Sequence, residues 1–449
     1  MAGQAKVAET QFKVEFTVDN DSGDIGDALT TNFTTLRIIN STRSIWPIFQ
    51  LYFQIDNQVF IENNIYGVDT LTCKIYLTGD TGDESSEPVE FKLLYLEAKL
   101  DLPPKLEKNS PMDDAKENQR RHVIMTCLSL PAYLAMTSFV NKLYEEPTNM
   151  TPLDIVKDLL DQKKIDKTKI IDKGANKNFI SQMIIPPMTI RSAVDYIHQN
   201  YGIYSGPMFR YCNYSGQFLL WDLKKKFDKE KENPWFKVHK IPSAFDTPGT
   251  MDEINDQTIS TKDEFMIYDV TETIHHANAG IIRYGYDNIY IYHPHEDIAV
   301  FQKKNVEDIV QDYGIWQDDK KMKYHKDLKA RKMYFNDMVG FEKNGYDGEY
   351  DNSILINDMA TNFQNESAVR IVVYRNVKFT KLIKVGEVMY LKPYSDFELF
   401  KGSNYEGGYL VSDSDIVLTR EQGGSQQNNI NCIATLTAYR TVQSKDDKN

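Results

Sequence analysis

The chain has 449 residues, enough for two to four domains and a sizeable core. Its net charge of −13 argues against a sequence-independent grip on nucleic acid, because neutralising phosphates takes surplus Lys and Arg. Hydrophobic residues make up 41%, yet no apolar run is long enough to cross a bilayer and no basic-plus-apolar leader occupies residues 1–13, so a soluble chain assembled in the cytoplasm is expected. Cys73, Cys127, Cys212 and Cys432 lie far apart in apolar or alternating runs, which suits buried thiols rather than a disulfide frame or a zinc site. Tyrosine is abundant at 27 residues, many in alternating segments that favour pleated surfaces and contacts between chains.

The first third reads as strand after strand. Phe12, Val14, Phe16 and Val18 alternate with polar residues, and so do Phe49, Leu51, Phe53 and Ile55, then Leu71, Cys73, Ile75 and Leu77. The run 89–100 changes phase at Leu93 and Leu94, which predicts a bulge, and 123–130 supplies a further strand. A small, curved antiparallel sheet or barrel follows. Segments 78–87 and 103–121 are charged loops without hydrophobic period. The acidic run 19–24 reads as a turn, since its glycine is misplaced for a calcium loop and Thr30 cannot supply the closing bidentate carboxylate.

A helix begins after Thr151, with Pro152 at its first position, Asp154 in its first turn, and Leu153, Val156, Leu159 and Leu160 as the buried stripe. Beyond a lysine-rich linker, 163–177, Pro186 and Pro187 hold the chain extended and Thr189 caps a second helix. Its apolar face carries Ile190, Ala193, Val194, Ile197 and Tyr201, and Gly202 ends it. A turn at Gly206 and Pro207 then leads into a hairpin of strands 208–212 and 217–222 joined by a loop ending at Gly216. Tyr211 and Phe218 are expected to face each other across it and to meet the helix at Ala193 and Ile197.

Residues 224–233 mark a boundary, and charge stays high to 351; one strand pair is expected at 280–286 and 289–292. His275, His276, His293 and His295 are the only concentrated metal-ligand types, but a proline separates the last two and no third ligand is placed, so they read as turn histidines. Strands return with Val369, Ile371 and Val373. Gly386 separates 381–385 from 388–391, Gly407, Gly408 and Tyr409 open the next strand, and Ile430, Cys432, Ala434, Leu436 and Ala438 share one face of the last.

Two stretches carry a resemblance. The proline-led run, helix and aromatic hairpin, through Pro186, Pro187, Thr189, Ala193, Ile197, Tyr211, Gly216, Phe218 and Leu223, together with closing strands marked by Gly386, Gly408 and Tyr409, resembles the baseplate central hub proteins of contractile-tailed phages. The resemblance implies an α+β, mainly β chain with two tube-forming antiparallel β-barrel-like domains, a small α/β domain outside them and a charged insertion. On this chain those are residues 1–145 for the first tube domain, 146–205 for the small domain, 206–227 for a hairpin joining the second tube domain, 228–363 for the insertion and 364–449 for the second tube domain. It further implies a homotrimeric structural protein of the virion tail that meets a central spike, tail tube or tube-initiator proteins, the tape measure protein and other baseplate proteins, with DNA only in transit. No cofactor, catalytic residue or metal residue comes with it.

Two other classes compete. No Gly-x-Ser-x-Gly, phosphate loop or His-Glu-x-x-His is present, and carboxylates are too many to locate a glycosidase pair, which leaves a glycan-degrading enzyme without a candidate site. A carbohydrate-binding tail adhesin would use the tyrosines as sugar platforms.

Overall fold

The structure, a computed structural model, describes residues 11–18, 24–42, 44, 46–56, 70–78, 89–101, 120–145, 149–177, 179–180, 182–204, 208–213, 216–222, 236–240, 264–267, 269–272, 286–293, 300–305, 331–336, 368–373, 385–393, 407–420 and 430–442. The N-terminal part comprises β1 (Gln11–Val18), α1 (Asp24–Asn32), β2 (Phe33–Ser41), β3 (Ile48–Asp56), β4 (Thr70–Thr78), β5 (Val89–Asp101), β6 (Arg120–Ser129) and α2 (Leu130–Thr137). Alternation does the work expected of it: Phe49, Leu51, Phe53 and Ile55 are all buried in β3, as are Leu71, Cys73 and Ile75 in β4. Their shared face meets Phe16 and Phe33, whose rings lie 5.4 and 6.3 Å from that of Phe53.

Three expectations for this region shift. The bulge lies between Tyr95 and Glu97, where β5 slips against β6, whereas Leu93 and Leu94 stay in regular register with β4. Leu96, the extra residue, turns outward and is exposed. Leu130 opens α2 rather than closing β6, because Pro131 suits a first helical position and not a strand interior. Asp24 starts α1, a helix that the reading of 19–24 as a turn did not anticipate, and β2 was not anticipated either; the rest of that acidic run lies outside the described residues.

The middle of the chain builds a separate α/β unit. It contains β7 (Phe139–Tyr144), α3 (Pro152–Gln162), β8 (Asp166–Ile170), β9 (Met183–Thr189), α4 (Ile190–Tyr201), β10 (Met208–Cys212) and β11 (Gln217–Asp222). β7 and β9 pair antiparallel, and β10, β11 and β8 form a second sheet in which β8 runs parallel to β11. β8 falls inside the lysine-rich stretch read as a linker; Asp166 and Lys169 are exposed and Lys167 half-buried while its backbone completes the sheet. One apolar core holds the unit together, drawing Leu153, Val156 and Leu160 from α3 and Ile190, Ala193 and Ile197 from α4.

Thereafter β12 (Phe236–Lys240), β13 (Glu264–Ile267) and β14 (Asp269–Glu272) join the large sheet, and β15 (Tyr286–His293), β16 (Val300–Asn305) and β17 (Arg331–Asn336) make a sheet of their own. The strand pair expected at 280–286 and 289–292 is therefore revised: 289–292 lies within β15, whose partners are β16 and β17, and 280–285 lies outside the described residues. β18 (Ala368–Val373), β19 (Val388–Pro393), β20 (Gly407–Arg420) and β21 (Ile430–Val442) close the chain.

Thirteen strands share the large sheet, whose main path runs β1-β4-β5-β6-β3-β2-β20-β19-β12-β13, with β21, β18 and β14 branching from β20. The protein is α+β and mainly β, and among the described strands the path is open rather than closed into the expected barrels. β20 makes the branch possible. Its first residues pair with β19 and its later ones, Asp413 to Thr419, pair with β2, while β21 runs along its other edge. A register shift between Val411 and Asp413 separates the two halves, as expected where a strand bends from one sheet region to the next. One strand thus ties the two ends of the sequence together.

Candidate functional site

The hairpin β10–β11 presents two faces, and each meets a different body. Phe218 joins the core of the α/β unit with Ala193 and Ile197, and Thr189 caps α4 by accepting the Ser192 N–H at 3.3 Å. Tyr211 belongs to the other face. In the antiparallel register it stands opposite Leu219, and Phe218 stands opposite Cys212, so the expected Tyr211–Phe218 pairing is corrected: the two are out of phase by one residue and point to opposite sides.

On that second face Phe209, Tyr211, Leu219 and Trp221 pack against Val385, Val388 and Leu410. The Phe209 and Trp221 rings stack with centroids 4.6 Å apart. Gly386 makes the approach possible, because its φ of +80° is left-handed and a Cβ there would collide with the Phe209 ring. Its N–H donates to Val411 O at 2.8 Å and the Val411 N–H returns to Glu387 O at 3.0 Å, which locks the turn onto β20. Gly216 plays the matching part at the hairpin tip, with φ of +75° and a Cβ position occupied by the Pro131 ring of α2.

A buried polar chain crosses the same junction. The Tyr211 hydroxyl donates to Asn40 Oδ1 at 2.7 Å, and Asn40 Nδ2 donates to Ser414 Oγ at 2.8 Å. Hairpin, β2 and β20 are thereby linked through three side chains. Alongside it, the Arg191 guanidinium of α4 lies 4.8 Å over the Trp46 ring, and Arg37 holds Asp415 in a bidentate pair across β2 and β20. Asn40, Ser414 and Trp46 escaped sequence reasoning, since a polar residue in an alternating strand looks solvated until its neighbours are known.

The remaining motif residues are dispersed. Pro187 is exposed and Pro186 half-buried in β9, Tyr409 is buried in β20 opposite Met389, Gly408 pairs with Tyr390, and Leu223 lies outside the described residues. Tyr201, Tyr204, Tyr211 and Tyr409 are buried and cannot stack on a sugar. Burial raises the Cys73 thiol and pushes Cys127 and Cys212 up to about 12, which suits inert core residues. Among the described residues no group of three or more His, Cys, Asp or Glu could hold a metal ion. His293 ends β15; His275, His276 and His295 lie outside the described residues.

The fold defines a class. It is a fold shared with two solved tail proteins, one of them from a prophage. The chain is similar to a tail protein from Neisseria meningitidis MC58, with a TM-score of 0.51 at 10% identity over 95% of this chain and 96% of that one. It is equally similar to the 43 kDa tail protein of prophage MuSo2 from Shewanella oneidensis, with a TM-score of 0.51 at 8% identity over 98% and 99%. A third likeness is to a chain in a lidded Francisella PdpA–VgrG complex, with a TM-score of 0.50 at 11% identity, where 98% of this chain covers 54% of the other. No family model and no curated protein sequence matches the chain. No helix among the described residues is long and apolar enough to cross a membrane.

Proposed function

We propose that the chain is a structural hub of a phage tail baseplate, three copies of which form a ring between the tail tube and a central spike. The observation that carries this reading is the likeness to two tail proteins, one of them from a prophage, along nearly the whole length of both partners. The sheet supports it physically. β1 and β13 stand at the ends of the described strand path, and open edges of that length are stabilised when neighbouring copies cover them. The first and second tube domains correspond to residues 1–145 and 364–449, with 146–205, the larger part of the α/β unit, outside them. The hairpin within 206–227, which completes that unit's sheet, and the junction around Tyr211, Asn40 and Gly386 fix the unit to both.

The protein works without catalysis, in the virion tail, by holding a spike on one side and tube, tube-initiator or tape measure proteins on the other. DNA crosses the ring in transit. The test is the mass of the purified assembly by multi-angle scattering, alone and with the spike protein of the same phage. A trimer in either state is expected; a monodisperse monomer in every condition, spike included, would sink the reading.

A further inference from the structure

The two-stranded ribbon β7–β9 buries one face and leaves the other apolar. Val140, Tyr144, Met183 and Ile185 enter the core of the α/β unit, whereas Phe139, Leu143 and Ile184 are 68%, 46% and 55% exposed. Leu143 and Ile184 stand directly opposite each other across the ribbon. At these exposures the three side chains present about 300 Å² of apolar surface, the size of a functional patch on a monomer. A standard interface takes about 800 Å² from each partner. The patch is therefore too small to hold a second copy by itself and suits a short segment whose main chain adds hydrogen bonds.

The two edges of the ribbon differ in what they can donate. Between the pairs Val140↔Met188 and Lys142↔Ile185, β7 has one residue, Asn141, and β9 has two, Pro186 and Pro187, so the bulge lies in β9 and both of its residues lack an N–H. β7 contains no proline, and among the described strands it pairs with β9 alone.

We propose that the outer edge of β7 takes up an extended, proline-free segment of a partner protein, apolar at alternate positions, as a third strand of this sheet. Its main chain bonds to β7, and its alternate side chains flank Phe139 and Leu143 as Ile184 already flanks Leu143. The small footprint keeps the affinity modest.

The experiment uses the full chain and a fluorescein-labelled peptide, Thr-Val-Thr-Ile-Thr-Val-Thr, with a second peptide N-methylated at alternate amides. Anisotropy should show saturable binding of the first peptide, weakened about tenfold by Leu143→Ser or Phe139→Ser, and none of the second. Amide exchange within 139–144 should slow when the first peptide is bound. Absence of saturable binding, equal binding of both peptides, or indifference to both serine variants would overturn the proposal. So would self-association of the chain that Phe139→Ser abolishes, because a second copy would then own this face.

Discussion

Phe218 and Tyr211 show how one hairpin serves two cores. Phe218 is buried in the α/β unit, so Phe218→Ala should cost about 3–5 kcal/mol in chemical denaturation, and an unchanged midpoint would place its ring at the surface. Tyr211 contributes through a single atom as well as its ring. Tyr211→Phe keeps the packing but removes the buried bond to Asn40, with an expected loss of about 1–2 kcal/mol by the same measurement. Gly386→Ala should be more damaging than its size suggests, by more than about 1 kcal/mol, because it strains a left-handed φ and drives a methyl group into Phe209. Phe209→Leu in the same chain should recover part of that loss, which separates the steric cause from the backbone one.

At the scale of elements, α3 is secured at both ends of its exposed face. The Thr151 hydroxyl accepts the Asp154 N–H while Asp154 accepts the Thr151 N–H, a reciprocal cap; Thr151→Ala should cost about 1 kcal/mol. Asp158 ties the helix to β7. Burial works to raise its pKa, but bonds from Lys142 at 2.6 Å, Tyr144 at 2.7 Å and Gln162 at 2.8 Å outweigh burial and hold the carboxyl below the ordinary aspartate value. A depressed folded-state pKa means the unfolded chain takes up the proton first. The contribution is thus present above about pH 4, the ordinary aspartate value, and is lost as pH falls through the lower folded value. Denaturation midpoints followed from about pH 5 to about pH 2 should fall less steeply for Asp158→Asn than for the natural chain.

For the whole molecule, the governing feature is β20, which hydrogen-bonds to β2 from the beginning of the chain and to β19 and β21 from its end. Its neighbours come from both proposed tube domains, so those regions should unfold together. A single transition by two probes, one near Trp46 and one near Trp221, checks this, and separate transitions would show independent units. The charge of −13 bears on the proposed ring: a lining without surplus cations lets phosphates pass without the counterion release that makes binding strong. The assembled ring should accordingly fail to retain duplex DNA at low salt, and tight, salt-sensitive binding in a gel-shift titration would contradict that.

Short-range chemistry was legible in the amino-acid order. Alternation marked the buried faces of β1, β3 and β4; Thr151 with Pro152 and Thr189 with Gly202 marked helix ends; Gly216 marked the hairpin loop and Gly386 a break between strands. Each of these depends on a residue and its neighbours within a turn or a strand. What the order could not disclose depends on partners from tens of positions to well over a hundred away. The strand in the lysine-rich stretch exists because β11 lies beside it, and the bulge in β5 sits where β6 slips rather than where the hydrophobic phase first changes. Tyr211 faces Asn40, a residue 171 positions earlier, because hairpin register sends alternate side chains to opposite bodies. Strand periodicity specifies two faces, but only tertiary packing decides what each face meets.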